Sequence, residues 1–226
     1  MNNLVVSSRV RLARNIKKLP FKTDTVDAHE SVAQTIRAAN PTFRYVRIDQ
    51  LADSFAKALY EQHLISKELL ENKRNGMIVT RDEPDTTGRV CVMLGEEDHI
   101  RIQVIEVGLD LQKAHATATK IATDIATKHD IARDDKLGYL TSCPTNLGTG
   151  MRASVMMFLP ALTLTGRING VIHQLRPHRI TVRGVYGEGS EASGYMYQIS
   201  NQACLGLTEN EIITREIGRA SCRERV

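Results

Sequence analysis

Arginine recurs at positions that a strand would present together, and this is the first sign of chemistry in the 226 residues. Arg9 and Arg11 stand two apart between Leu4 and Leu12, alternating with Val10 and Leu12, so both guanidinium groups share one strand face. Arg101 lies opposite the apolar side formed by Ile100, Ile102 and Val104, and Arg183 lies opposite Ile180 and Val182. A solvated sheet face accounts for any one of these strands. Three strands that all carry arginine, where Thr, Lys or Glu would serve as well, point to a shared anion. The planar guanidinium binds phosphate oxygens in pairs and keeps its charge at every physiological pH. A convergent set is a clamp for a polyphosphate. Neither G-x-x-x-x-G-K-[ST] nor G-x-G-x-x-G occurs, so side chains would have to hold those phosphates.

Three further blocks carry reactive groups. Glu96-Glu97-Asp98-His99 runs straight into Arg101. A hairpin tip is the plain explanation, but carboxylates beside a phosphate clamp would repel ATP and suit a cationic acceptor or a metal. The loop from Ser142 to Gly150 holds Cys143 between the hydroxyls of Ser142 and Thr145, with Arg152 just beyond. Most lone cysteines are inert core residues; this polar, electropositive setting favours thiolate. Gly184, Gly187 and Gly189 open a loop whose first acid is Glu188, and a plain surface loop is the alternative there.

These groups need elements to position them. Alternation predicts strands at Leu4 to Leu12, Gly76 to Thr80, Val90 to Leu94, Ile100 to Val107, Gly138 to Thr141, Met151 to Leu159, Ile180 to Arg183 and Tyr195 to Ile199. One helix is expected near Gln50 to Gln62, with Leu51, Phe55 and Leu59 on one side and Asp49 as its cap. A longer one is expected over Leu111 to Lys128, with the stripe Leu111, Ala114, Ala118, Ile121 and Ile125 and Asp110 as cap. A further helical piece precedes Ile180. Strands do not alternate regularly with helices, so an α+β fold with a mainly antiparallel sheet flanked by helices is expected.

Composition bounds the rest. Hydrophobic residues make up 42% and charged residues 25%, which is the balance of a soluble globular protein able to bury a core. No apolar run approaches the roughly 20 residues that span a bilayer, and residues 1–10 lack a secretory layout. The expectation is a cytoplasmic protein with no membrane partner. Cys91, Cys143, Cys204 and Cys222 form no C-x-x-C pair, which argues for reduced thiols and against a zinc site or disulfide framework. The formal charge of +4 raises nucleic acid as a partner, but Arg219, Arg223 and Arg225 against Glu224 supply half of it. With no Trp and ten Phe plus Tyr, a base-stacking platform is not expected. From about Gly218 the chain becomes R-A-S-C-R-E-R-V. Residues 1–217 are taken as the domain, and 218–226 as a non-native tail, the alternative being a charged helical end.

Together the blocks resemble the phosphagen (guanidino) kinase family. The match rests on S-S-R-V-R at Ser7 to Arg11 and E-E-D-H-I-R at Glu96 to Arg101. It continues through C-P-T-N-L-G-T-G-M-R at Cys143 to Arg152 and R-G-x-x-G-E at Arg183 to Glu188, in the family's order. The resemblance implies an antiparallel catalytic domain of the guanidino kinase and glutamine synthetase kind. It implies that Arg9, Arg11, Arg101, Arg152 and Arg183 bind the ATP phosphates. Glu97 would hold the acceptor guanidinium and act as base, Glu188 would be its partner, and Cys143 a thiolate beside the guanidinium. Magnesium would be held mainly by the nucleotide, with no metal site built from the protein. Such roles fit the chemistry, since phosphoryl transfer needs positioning and charge neutralisation more than covalent work. Freeing a lone pair on a guanidinium of pKa roughly 13 costs about 8 kcal/mol at pH 7, and a carboxylate pair would offset part of that.

S-S-R-V-R-L-A-R-N and Y-Q-I-S-N-Q also resemble the bacterial protein-arginine kinase branch of the family. Small-molecule members carry a helical domain ahead of S-x-R-V-R with a loop that closes over the free substrate; here six residues precede Ser7. An open site for protein-borne arginine is therefore expected. The resemblance further implies a heat-shock repressor among the substrates, a zinc-binding activator, Clp protease machinery, and a homodimer formed through a C-terminal domain absent here. The alternatives are a fragment of a small-molecule guanidino kinase and an inactive module that binds arginine or phosphoarginine.

Overall fold

The alternation at the start of the chain becomes strand β1 (Val5–Arg14), and it lies inside the sheet. The computed structural model describes residues 4–21, 26–72, 75–80, 88–184 and 193–215. Helix α1 (Val26–Ala39) and strand β2 (Phe43–Arg47) follow, then α2 (Asp53–Glu61) and α3 (Lys67–Glu71). Next come β3 (Gly76–Thr80), β4 (Gly88–Leu94), β5 (Ile100–Val107) and the long helix α4 (Leu111–Ala126). A two-strand ladder of β6 (Arg133–Asp134) and β7 (Gly138–Tyr139) leads into β8 (Met151–Phe158). After α5 (Pro160–Leu164) and α6 (Ile168–Leu175), β9 (Ile180–Arg183) and β10 (Met196–Asn201) finish the sheet, and residues 209–215 are helical.

The main sheet has eight strands in the order β2-β3-β4-β5-β1-β8-β10-β9, and every ladder among the described residues is antiparallel. The expected α+β fold is borne out. One face carries Val10, Leu12, Ile100, Ile102, Val104 and Val155 against the apolar stripe of α4, whose buried residues are the five that its spacing predicts. Asp110 caps it, accepting a hydrogen bond from the Lys113 amide. The opposite face is covered by α2 and α3 only at one end, where Leu59 and Leu69 pack on Met77, Cys91 and Met93. The rest of that face is left for the site. Ile102 is fully buried at the middle of the covered face. Ile102→Ala is expected to cost about 2–5 kcal/mol in denaturant unfolding, through lost transfer energy and the cavity it leaves.

Two details differ from the expectations. Asp49 does not cap α2: it sits in a 3-10 turn and pairs with Arg47, while the cap position is Ala52 with no side-chain bond. Phe55 is 55% exposed, and the buried side of α2 is Ala56 and Leu59. No helix of the described residues is long and apolar enough to cross a membrane.

Candidate active site

Directly opposed residues of an antiparallel ladder point to the same face, so register alone decides where the arginines go. Arg11 stands opposite Arg152 on one side and Gln103 on the other; Arg101 stands opposite Ala13, two residues from Arg11. Arg9 faces Ser154, Ser154 faces Ser200, and Arg183 faces Gln198, two residues from Ser200. All five predicted arginines therefore share the sheet face that the helices leave open.

A cleft of about 780 Å3 lies over this face, lined by Arg11, Arg101, Arg152 and Arg183 together with Glu97 and Cys143. Arg9 looks into a neighbouring pocket of about 80 Å3, with Ser7, His63, Ser154 and Gln198. It remains electrically part of the group. Burial pushes its guanidinium down to about 10, helped by the positive charges of Arg152 and Arg101. Arg11 is held well below the ordinary value by burial and by Arg9, Arg101 and Arg152, with Glu96 pulling the other way. The Arg11 Nε is buried with no hydrogen-bond partner among the described residues. Mutually repelling cations around a buried donor make this face suited to an anion.

The acidic turn closes the β4–β5 hairpin. Arg101 bridges its two glutamates, with Nη1 2.5 Å from Glu96 and Nη2 2.8 Å from Glu97. The Glu96 side chain is 1% exposed, whereas that of Glu97 is 38% exposed and reaches the cleft, near enough for Asn146 to donate to it at 3.5 Å. Behind the glutamates, buried Asp98 accepts from Asn15 Nδ2 and from the Ser142 amide, both at 2.7 Å. Asn15 in turn accepts from the His99 amide at 2.8 Å. This brace ties the end of β1, the acidic turn and the start of the cysteine loop together. Asp98→Ala is expected to cost about 1–3 kcal/mol in denaturant unfolding, because the Asn15 amide and the Ser142 N–H both lose this buried acceptor. Unchanged stability would refute the brace.

The cysteine loop folds over a 3-10 turn at Pro144–Asn146. Cys143 Sγ lies 3.0 Å from Thr145 Oγ1. Gly148 and Gly150 both need positive φ, and a Cβ on either would approach a backbone oxygen, of Cys204 at 2.6 Å or Ala13 at 2.7 Å. A larger residue at Gly150 would push the loop off β1, and one at Gly148 would push it off the segment after β10. Cys91 and Cys204 are buried, and burial raises both thiols, Cys91 to about 12. Cys143 is the described thiol that faces the cleft.

Comparison with known proteins follows the same line. Residues 25–219 match the ATP:guanido phosphotransferase C-terminal catalytic domain. The chain belongs to the ATP:guanido phosphotransferase family. It is 44% identical over 220 residues to a protein-arginine kinase of Caldanaerobacter subterraneus, covering 93% of this chain and 64% of that protein. Against a protein-arginine kinase of Clostridium acetobutylicum the identity is 41%, over 94% of this chain and 64% of the relative. The chain thus spans 64% of the length of these curated relatives. A duplicated taurocyamine kinase from Schistosoma mansoni, with transition-state analogue components bound, superposes with a TM-score of 0.84 at 25% identity, over 99% of this chain and 33% of that one. Lombricine kinase shares the fold, with a TM-score of 0.79 at 22% identity, over 98% and 66% of the two chains.

The guanidino phosphotransferase match begins after β1, yet β1 supplies Arg9 and Arg11 and is bonded on both sides. Glu188, Cys222 and the tail at 218–226 lie outside the described residues. Several cleft residues carry no sequence expectation, among them Glu68, Asn146, Arg176 and Gln202, with His63 in the side pocket. His63 has a left-handed backbone, φ 59°, and buried Gln103 donates to its carbonyl at 2.7 Å. Strained backbone held from the sheet face is a signal that structure alone provides.

Proposed function

We propose that this domain transfers the terminal phosphoryl group of ATP to a guanidinium nitrogen of arginine side chains in proteins. The observation that carries the reading is the cleft itself, in which sheet-borne arginines converge and Glu97 sits at their edge. The triphosphate would lie along Arg9, Arg11, Arg101, Arg152 and Arg183, whose repulsion it relieves. A guanidinium nitrogen attacks the γ-phosphorus in line, the bond to the β-γ bridging oxygen breaks, and ADP leaves with that electron pair. The nitrogen's proton passes to Glu97, the base, while Glu188 and the Cys143 sulfur hold the guanidinium in place. For Glu97 to accept it, Arg101 must release that carboxylate and turn to the phosphates.

Among the described residues no group of three or more His, Cys, Asp or Glu could hold a metal. The donor set fits magnesium carried on the nucleotide oxygens, where it would neutralise phosphate charge. Residues 1–217 form the catalytic domain, and 218–226 are a non-native addition. Cytoplasmic location, a heat-shock repressor as substrate, a zinc-binding activator, Clp protease machinery and a homodimer belong to the same reading, as does the absence of nucleic-acid and membrane partners.

Protein acceptors are favoured over small ones because the relatives at 41–44% identity are named protein-arginine kinases. The test is incubation with labelled ATP and either casein or free arginine. Acid-labile, arginine-linked label on casein is expected. Rapid turnover of free arginine with none on casein would contradict it, and no turnover of either would favour an inactive binding module.

A further inference from the structure

From Lys136 to Gly187 the chain contains no aspartate or glutamate, but it contains six Lys and Arg together with His173 and His178. Two of the cations, Arg152 and Arg183, belong to the phosphate clamp. Arg167, Arg176 and Arg179 do not: they are exposed around α6 and the turn into β9, and no described carboxylate pairs with them. Arg176 enters the cleft from this turn and not from the sheet face. The turn is fixed. Arg179 has φ 59°, its amide donates to the Arg176 carbonyl at 3.0 Å, and its own carbonyl accepts from Gln202 at 2.8 Å. A non-glycine residue held in that conformation marks a backbone that its surroundings constrain. The carboxylates that line the cleft, Glu68 and Glu97, come from α3 and the β4–β5 turn, and Glu97 is paired with Arg101. The α6–β9 side contributes cations and no described carboxylate.

An acceptor arginine must enter with its guanidinium at Glu97, and its flanking residues must then leave the cleft past one wall or the other. We propose that the α6–β9 wall selects target arginines that have an acidic residue nearby in the substrate chain, with Arg176 as the specificity-determining residue. This rests on the protein-acceptor reading given above. A carboxylate on the substrate meets the Arg176 fork in paired hydrogen bonds, while a lysine there meets only like charge. Charge complementarity of this kind sets partner choice more than absolute affinity.

The test uses three matched peptides with a single arginine, flanked by alanine, by aspartate or by lysine. Each is followed by phosphoryl transfer from ATP and by fluorescence anisotropy with ADP present. The aspartate peptide is expected to show kcat/KM about fivefold above the alanine peptide, mostly in KM, and the lysine peptide to fall below it, the size expected of partly exposed ion pairs. Arg176→Glu should reverse the ranking. Equal binding of the three peptides, or a ranking that survives Arg176→Glu, would overturn the inference. So would an Arg176→Glu effect confined to KM for ATP, which would make Arg176 a nucleotide contact. Competition by single-stranded DNA as strong as that by the aspartate peptide would also overturn it, since the wall would then take any polyanion. Transfer to none of the peptides, with the binding preference intact, would instead count against the proposed function.

Discussion

Glu97→Gln should lower kcat on the order of 10³-fold while leaving KM for ATP unchanged or slightly reduced. Glutamine keeps the shape of the side chain and can still accept from Arg101 Nη2, now 2.8 Å from the carboxylate, so the turn should survive. In the proposed mechanism what disappears is the proton acceptor and the charge that draws in the guanidinium, and general bases typically contribute 10²–10⁴-fold. Arg101 is also held less firmly by the amide than by the carboxylate, so it should turn to phosphate more readily. Steady-state kinetics with an arginine-bearing protein decides the matter. A variant that keeps more than about a tenth of wild-type kcat would remove Glu97 from the chemistry.

Arg11→Met should act with opposite signs on stability and on activity. Arg11 is a partly buried cation among Arg9, Arg101 and Arg152, with an Nε that has no partner among the described residues. Replacing it with an apolar chain of similar length removes the repulsion and the orphaned donor, worth about 1–3 kcal/mol in favour of folding. For a chain of this size that raises Tm by roughly 2–4 °C per kcal/mol. In the proposed mechanism the same change removes a triphosphate contact and should cost about 10²–10³-fold in kcat/KM. Saturating ATP at about 100 Kd stabilises the wild type by about 2.7 kcal/mol, and the variant should lose most of that at the same concentration. Thermal melts with and without ATP read both effects. A destabilised variant that still gains from ATP would show the clamp to be misassigned.

The same repulsion has a pH signature. Arg9 is lowered to about 10 in the fold, below its value in the unfolded chain. Between those values the unfolded chain binds the extra proton, so stability rises with pH there, and the penalty is in full force below about pH 10. Comparing wild type with Arg9→Met isolates it from other titrations: the variant's advantage should shrink as pH passes 10.

How far the sequence foretold these features depended on whether they followed from period and type. The α4 stripe, the strands at Gly76–Thr80, Ile100–Val107 and Ile180–Arg183, and the common face of the arginines all follow from side-chain alternation or helical spacing. Helix α1 and strand β2 carried no expectation. The α1 core side is only Val32, Ala33 and Ile36, and in β2 just Phe43 is fully buried, so neither announces itself. Asp49 followed the rule for a cap but was taken by Arg47, two residues away.

At the site, the split between the two glutamates was not legible, because it depends on which one the hairpin buries. The Asn15–Asp98–Ser142 brace joins residues 83 and 44 positions apart, which no local pattern reports. The displacement of Arg9 into a side pocket depends on how the turn at His63 overhangs the sheet. Arg176 belongs to an irregular turn with no period to read. Tertiary placement decided each of these.

The most direct measurement is a crystal structure of the protein with a non-hydrolysable ATP analogue and an arginine peptide. The predicted result has Arg11, Arg101, Arg152 and Arg183 donating to phosphate oxygens of one nucleotide, Arg101 released from Glu97, and the peptide guanidinium on that carboxylate in line with the terminal phosphorus. A nucleotide bound away from these arginines, or one bound there with the peptide guanidinium remote from Glu97, would contradict it.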